Sequence, residues 1–510
     1  MSDPSRPQAS RKPTRPEGPA LANAHSTATA PAANSFWAGG LYLIIIALAV
    51  GELAGRVLSV NAIDKQGLEA SLRKEGRDIT LQRPFLSGND RSRWCTVRSL
   101  VEHGTYAIDE IVKEPNWDTI DMVKHDGQGN PAPEPDRGHL YSSKPPLLAT
   151  LMAGEYWVLH KITGQTLGTH PYRLGRIMLF TLNVLPFAAY LLILARLADR
   201  YGLTDWGRLF VVAAGALATL LTTFATVFTN HWPAALAAMI ALDATLRIVN
   251  EGERRLRWFF VAGLSAALMA AFELPALSFC GLIAALVFFT APRGALLGML
   301  PALALVCVAS FGTNYAAHGT FKPAYEQRHV TGGWYDYQYT RLNKDGSVRV
   351  IDSYWKPTTA KSKVDQGEPS VGWYAFHTTF GHHGVFSLTP IWLLSVAGAI
   401  ALAGRGANPR GLRFVAGTVI VATLVCFAFY FTRPLEDRNY GGTSSGFRWA
   451  FWFAPLWLFV MLPAADALSR RPWTRWLAML LLALSCLSAH YPNWNPWTQP
   501  WIQNWLEATQ

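Results

Sequence analysis

Only five cysteines occur among 510 residues. Cys280, Cys307, Cys426 and Cys486 fall inside apolar runs and Cys95 stands alone in a polar segment. No CxxC pair is present, so neither a disulfide framework nor a cysteine metal site is supported. Charged residues are also scarce, at 15%, the balance of a membrane protein that also carries sizeable polar segments; two soluble domains would not need so many long apolar runs. The formal net charge of +11 comes from Lys and Arg scattered between hydrophobic segments, and the lack of a single basic stripe argues against a nucleic-acid partner. No internal repeat is visible. The first apolar run is too long, and too far from the N-terminus, for an ordinary cleaved signal.

What is abundant is apolar: 50% of residues are hydrophobic and 12% aromatic, with 20 Trp. Their arrangement in long runs predicts an all-α polytopic membrane protein with about eleven transmembrane helices of about 20 residues each, several of them short. Residues 1–35, rich in Pro, Ala, Ser and Thr with Arg6, Arg11, Lys12 and Arg15, cannot bury enough apolar surface to fold and are expected to form a disordered cytoplasmic tail. The basic residues hold the start of the first span, Phe36 to Val60, inside. Glu52 and Arg56, four apart near its outer end, read as a local ion pair.

Residues 61–172 form a first external loop in this reading. Within it NDRSRWCTVRSLVEHG has helix punctuation: Asn89 or Asp90 as N-cap, Gly104 as the stop, and Trp94, Val97, Leu100 and Val101 on one face. That pattern suits a helix lying on the membrane surface. Whether Leu147 to Ile162 crosses the membrane decides all later topology. If it stays outside, Arg196, Arg200 and Arg208, then Arg247, Arg254, Arg255 and Arg257, then Arg293, Arg405, Arg410 and Arg413, and Arg470, Arg471 and Arg475 all fall inside. The positive-inside rule chooses that arrangement. Residues 36–490 then form the membrane domain and 313–387 a second large external loop. Residues 491–510, with Trp494, Trp497, Trp501 and Trp505, form an outer Trp-rich anchor.

Under this topology Asp90, Lys144, Arg173, His231, Glu273, His382, His383 and the Gly-rich loop 433–448 lie at the external side. Lys144, before Pro145 and Pro146, is held at the mouth of an apolar helix; it reads either as a snorkelling interfacial lysine or as a cation for a lipid head group. Arg173 could be an interfacial anchor, His231 a hydrogen-bonded interfacial histidine and Glu273 a turn cap. Asp243 and Arg247 read as a structural pair. In RPLEDRNYGGTSSGFR, Gly441, Gly442 and Gly446 permit close backbone approach, Thr443, Ser444 and Ser445 offer hydroxyls, and Arg438 and Arg448 offer charge, which is a plausible phosphate site.

The order of these features resembles the GT-C class of membrane glycosyltransferases, in particular relatives of the aminoarabinose transferase and of the dolichyl-phosphate-mannose protein mannosyltransferases. Asp90 matches the acidic residue heading the family's first-loop helix, Lys144, Pro145, Pro146 and Leu147 match its Lys-Pro-Pro-Leu element, and Arg173 in PYRLGRIML matches the Arg that opens the next crossing. Position 91 is Arg where relatives often carry Glu, and Ser143 stands where the aminoarabinose transferase has Glu. The resemblance implies transfer of a sugar from a polyprenyl-phosphate donor to a glycan, lipid or protein acceptor at the periplasmic face of a bacterial inner membrane. Asp90 would be the general base, and Lys144, Arg173, Arg438 and Arg448 would hold the donor phosphate. His231, Glu273, His382 and His383 would be candidates for acceptor contact or for a divalent metal ion. A polytopic transporter or lipid flippase, or a non-catalytic relative, are the competing readings; transporters more often show repeat symmetry and broken helices at mid-membrane.

Overall fold

Residues 35–74, 76, 85–114, 116–342, 348–404, 408–492 and 495–509 are described by a computed structural model, without the side chains of 35–39, 60–73 and 342. The tail expected at 1–35 lies outside these residues apart from Ser35, as do Arg405 and Trp494. Helices dominate, and the only sheets among the described residues are two antiparallel hairpins.

Among the described residues seven helices are long and apolar enough to cross a membrane: Gly40–Ser59, Pro171–Tyr201, His231–Val249, Pro292–His318, Arg410–Phe431, Arg448–Leu468 and Pro472–His490. Three shorter apolar helices, Leu256–Phe272, Leu274–Thr290 and Trp392–Ala403, match other expected crossings. The apolar run Leu209 to Thr229, by length one of the expected crossings, is instead broken into a helix, Asp205–Leu217, and a 3-10 turn, Thr222–Thr226. Threonine chemistry accounts for the break. Thr222 and Thr223 donate their hydroxyls to the carbonyls of Thr219 and Leu220, at 2.8 and 2.6 Å, and such local bonds compete with the helix ladder.

The helices share two polar ends. At one, Tyr42 donates to Asp199, Arg200 and Arg247 pair with Asp243, and Asp466 accepts from the backbone of Leu203 and Thr204. At the other, Asn230, His231, Glu273 and Arg448 meet, as described below. Between the ends the helix Ala454–Leu468 is buried over 11 of its 15 residues. Gly398 allows its neighbour to touch it, since a Cβ there would collide with the Val460 carbonyl.

The first helix, α1 (Ser35–Lys74), runs on past the loop boundary expected near Asn61. Helix α2 (Gly88–Glu102) corrects two expectations. Its N-cap is Ser87, whose side chain accepts from the Asp90 N–H at 3.2 Å, so neither Asn89 nor Asp90 caps it. It is also buried from Asp90 to Ser99 rather than laid on a surface. Its charges are satisfied internally: Arg91 donates to the carbonyls of Phe85 and Asp118, and Arg98 pairs with Glu102 and Glu114. After the short helix α3 (Asp109–Lys113), strands β1 (Met122–His125) and β2 (His139–Ser142) pair with Met122 opposite Ser142. Helix α4 (Pro146–Thr163) packs along α2, where Tyr156 donates to Glu102 and accepts from the Leu167 N–H.

Candidate functional site

The β1–β2 hairpin and α4 fix Lys144 from both sides. Ser143 N–H donates to the Asp121 carbonyl at 3.1 Å, and Lys144 N–H donates to the Ser142 hydroxyl at 3.2 Å. Pro146 occupies the first turn of α4, where its missing N–H costs nothing. The lysine is thereby held with its ammonium 3.0 Å from Asp121 Oδ2. Trp355 donates its indole N–H to the other carboxylate oxygen at 3.2 Å. Burial pulls the Lys144 ammonium down to about 8, with Asp121 opposing the shift and Arg93 adding to it. Burial acts to raise the Asp121 carboxyl, but the Lys144 charge and its hydrogen bond more than offset this and hold it below the usual range.

Arg93 on α2 reaches the same space. It donates to the Asn89 side chain at 2.5 Å and to Asn230 at 2.9 Å, and burial lowers its pKa to about 10. Opposite lies a chain of three groups. Glu273 Oε1 is 2.7 Å from His231 Nδ1, and His231 Nε2 is 3.3 Å from Arg448 Nη1. A guanidinium can only donate, so Nε2 accepts and Nδ1 carries the proton toward Glu273. Arg448 also donates through Nε to the Gly441 carbonyl at 2.6 Å and lies over the Trp497 ring at 5.3 Å. Gly441 has φ +99°, and a Cβ there would collide with the Arg448 side chain.

These groups line a cavity of about 260 Å³ together with Arg328, Tyr325, Tyr335, Tyr430 and Trp449. Arg328 lies over Trp355 at 4.4 Å and is 3.6 Å from Asp437. Four cations (Arg93, Lys144, Arg328 and Arg448) face two carboxylates (Asp121 and Glu273), so the walls hold surplus positive charge, with Arg93, Asp121 and Glu273 buried and Leu274 and Tyr325 exposed at the rim. Such a cavity favours an anion with several oxygens.

Lys144, His231, Glu273 and Arg448 are thus brought together. Five other residues from the sequence reading are placed elsewhere. Asp90 is 1% exposed and accepts from the Phe228 N–H at 2.9 Å; it does not line the cavity, and burial pushes its carboxyl up to about 7. Arg173 is exposed on the helix Pro171–Leu179. Arg438 is a strap, donating to the carbonyls of Arg433, Glu368 and Pro369. His382 and His383 contact each other, and His383 stacks on Tyr440 at 4.1 Å, outside the cavity. The hydroxyls of Ser444 and Ser445 turn inward, toward the Gly446 carbonyl and Thr223, so of the Gly-rich loop Arg448 is what reaches the cavity.

For a divalent ion the fit is poor. Among the described residues no group of three or more His, Cys, Asp or Glu is arranged to hold one, and the free side of His231 faces a guanidinium.

Asp121, Arg93, Arg328 and Trp355 escaped the sequence reading. Arg93 had a usable signal, since it stands four residues after Asn89 on the same helical face. Asp121 had a weaker one: it precedes a four-residue strand whose partner strand ends beside Lys144, and only the hairpin register places the two together. Arg328 and Trp355 arrive from the segment 313–387 by tertiary contact alone.

No protein-family model matches the chain, and no curated protein does either. Among solved structures it is similar to the oligosaccharyltransferase of Archaeoglobus fulgidus. With the form tethered to an acceptor peptide containing the NVT sequon, identity is 12%, the TM-score is 0.46, and 93% of this chain and 57% of the other are covered. With the same organism's AglB in complex with an inhibitory peptide and a dolichol-phosphate, identity is 12%, the TM-score is 0.44, and 93% and 57% are covered. With the complex containing Zn and sulfate, identity is 12%, the TM-score is 0.44, and 90% and 54% are covered. The chain therefore spans little more than half the length of the structures it matches.

Proposed function

We propose that this chain is a membrane glycosyltransferase that takes a sugar from a polyprenyl-phosphate carrier and transfers it to an acceptor hydroxyl at the outer face of a bacterial inner membrane. The observation that carries the reading is the cavity itself: a partly enclosed, cation-rich pocket at one end of an apolar helical assembly. Its natural guest is an anion attached to a hydrocarbon chain. A second, apolar cavity of about 390 Å³ supports this. It is lined by Phe427 and Phe431, on the same helix, Arg410–Phe431, that supplies Tyr430 to the polar cavity.

In this reading Lys144 and Arg448 hold the donor phosphate and stabilise the charge that develops as it leaves the anomeric carbon. Glu273 fixes the His231 tautomer, and His231 fixes Arg448. Arg93 and Arg328 keep the potential positive around the phosphate. The aromatic walls, Tyr335, Trp355 and Trp449, offer flat apolar faces to a sugar ring. Asp90, put forward by the resemblance as general base, would have to give up its bond to Phe228 to reach this space, whereas Asp121 and Glu273 already stand on the wall.

Lys144 provides the test, with binding of a polyprenyl phosphate to the purified protein as the measurement. Lys144→Ala removes the charge and is expected to weaken binding by roughly tenfold or more, while Lys144→Arg keeps charge but not geometry and retains part of it. Affinity of the wild type should also fall as pH rises through about 8, because only the protonated ammonium attracts phosphate. Equal affinity of wild type and Lys144→Ala, with no pH dependence near 8, would remove the phosphate site from this cavity.

A further inference from the structure

Two carboxylates line the cavity, and their attachments differ. Glu273 is committed through Oε1 to His231 and, through it, to Arg448. Asp121 is held by a tryptophan N–H on one oxygen and by the Lys144 ammonium on the other. That ammonium is a point charge on a flexible four-carbon stem, and unlike a guanidinium fork it changes partners without losing a fixed geometry. A phosphate entering a pocket that also contains Arg93, Arg328 and Arg448 offers several oxygens to the same ammonium, where Asp121 offers one.

We infer that Asp121 is the general base of the transfer reaction and that Lys144 masks it until a donor phosphate draws the ammonium away. This rests on the glycosyl-transfer reading above. In the empty site the ion pair neutralises the carboxylate, so water in the cavity meets no free base. When the donor is bound, Lys144 turns to the phosphate and Asp121 Oδ2 opens toward the acceptor. Burial is the largest influence on this carboxyl, and once the ammonium leaves it acts unopposed by that charge, so the base strengthens as it is needed. In the step itself the acceptor oxygen forms a bond to the anomeric carbon while its proton passes to Asp121 Oδ2. The bond from the anomeric carbon to the phosphate oxygen breaks, and its electron pair stays on that oxygen as polyprenyl phosphate. The proton is lost to water when the carrier leaves and Lys144 returns.

The test separates binding from chemistry. Mass spectrometry of glycolipids and surface glycans in cells with and without the gene identifies the product, and complementation with variants then reports turnover. Asp121→Asn is expected to bind polyprenyl phosphate at least as tightly as wild type, because nothing competes for Lys144, yet to cut product on the order of 100-fold or more. Asp121→Glu keeps the base but displaces it by a methylene, and is expected to bind within about threefold of wild type and lose on the order of 10 to 100-fold in product. In membranes carrying Asp121→Ala, added formate should restore part of the product, a rescue that a purely structural aspartate would not show. Wild-type product from Asp121→Asn, or from Asp121→Glu should the Asn variant not fold, would overturn the assignment. So would a tenfold loss of affinity in Asp121→Asn, which would make the residue only a holder of Lys144. Failure of the wild type to bind polyprenyl phosphate at all would instead remove the functional reading beneath it.

Discussion

Asp90 shows how one residue type in one motif can serve two different ends. Its carboxylate ties the first turn of α2 to the backbone at Phe228, and an amide oxygen can accept that bond equally well. Burial raises its pKa to about 7 from an ordinary value of 3.8. The folded chain therefore binds this proton more tightly than the unfolded chain does. The sign follows: Asp90 imposes no ionisation penalty below about pH 4, and its cost to stability grows as pH rises from there to about 7. Asp90→Asn should melt higher relative to wild type at pH 8 than at pH 5, while product formation stays close to wild type. A variant equally stabilised at both pH values, or one lacking product, would contradict this placement. The resemblance named an acidic residue in the first loop. A helix-heading aspartate can face a cavity or the core, and only packing decides which.

At the scale of elements, the Gly-rich loop divides its work. Arg438 straps it to Glu368 and Pro369 through their backbone carbonyls, and Arg433, Arg328 and His329 converge on Asp437, whose carboxyl they hold down at about 2 against the effect of burial. Arg448 alone carries charge into the cavity, resting against Gly441. Gly441→Ala would put a side chain in the left-handed region and push Arg448 aside, so polyprenyl phosphate binding is expected to fall by roughly tenfold. Arg438→Ala should lower the melting temperature and leave that affinity within about twofold, because the strap is remote from the phosphate. Reversed effects of the two variants would exchange their roles. Sequence composition made the loop visible, because glycines, hydroxyls and arginines side by side are unusual next to a membrane helix. Which arginine faces in could not be read, since Arg438 closes a single 3-10 turn and Arg448 opens another, runs too short to set a face. The helices were more legible because long apolar runs announce themselves, yet the break after Leu217 was hidden in four threonines that are apolar enough to pass within a span.

For the molecule as a whole, the two polar ends have opposite character. One carries arginine-rich turns whose Arg200 and Arg247 pair with Asp243 and Glu251; the other carries the cavity. If the arginine-rich end faces the cytoplasm, single cysteines at Asp205 and Gly252 should resist a membrane-impermeant thiol reagent in whole cells, while cysteines at Gln128 and Lys322 should react. A background lacking Cys307 and Cys486 removes native labelling. Reaction at the first pair without permeabilisation would invert the molecule and place the cavity inside.

The short helix Trp392–Ala403 bears on the lipid as well as on the fold. Its 12 residues reach only about 18 Å at 1.5 Å per residue, against a hydrocarbon layer of roughly 30 Å. Leu393, Val396 and Ile400 are exposed along it, and Trp392, Val396 and Ile400 also border the apolar cavity. A bilayer meeting so low an apolar belt would be pinched on that flank. Carrier head groups there would ride closer to mid-plane than elsewhere, at a level where a long prenyl chain enters sideways with little climb. Reconstituted in vesicles of short-chain phosphatidylcholine, the protein should therefore bind polyprenyl phosphate faster than in long-chain vesicles of equal fluidity, and equal rates in both would show that thickness plays no part in loading.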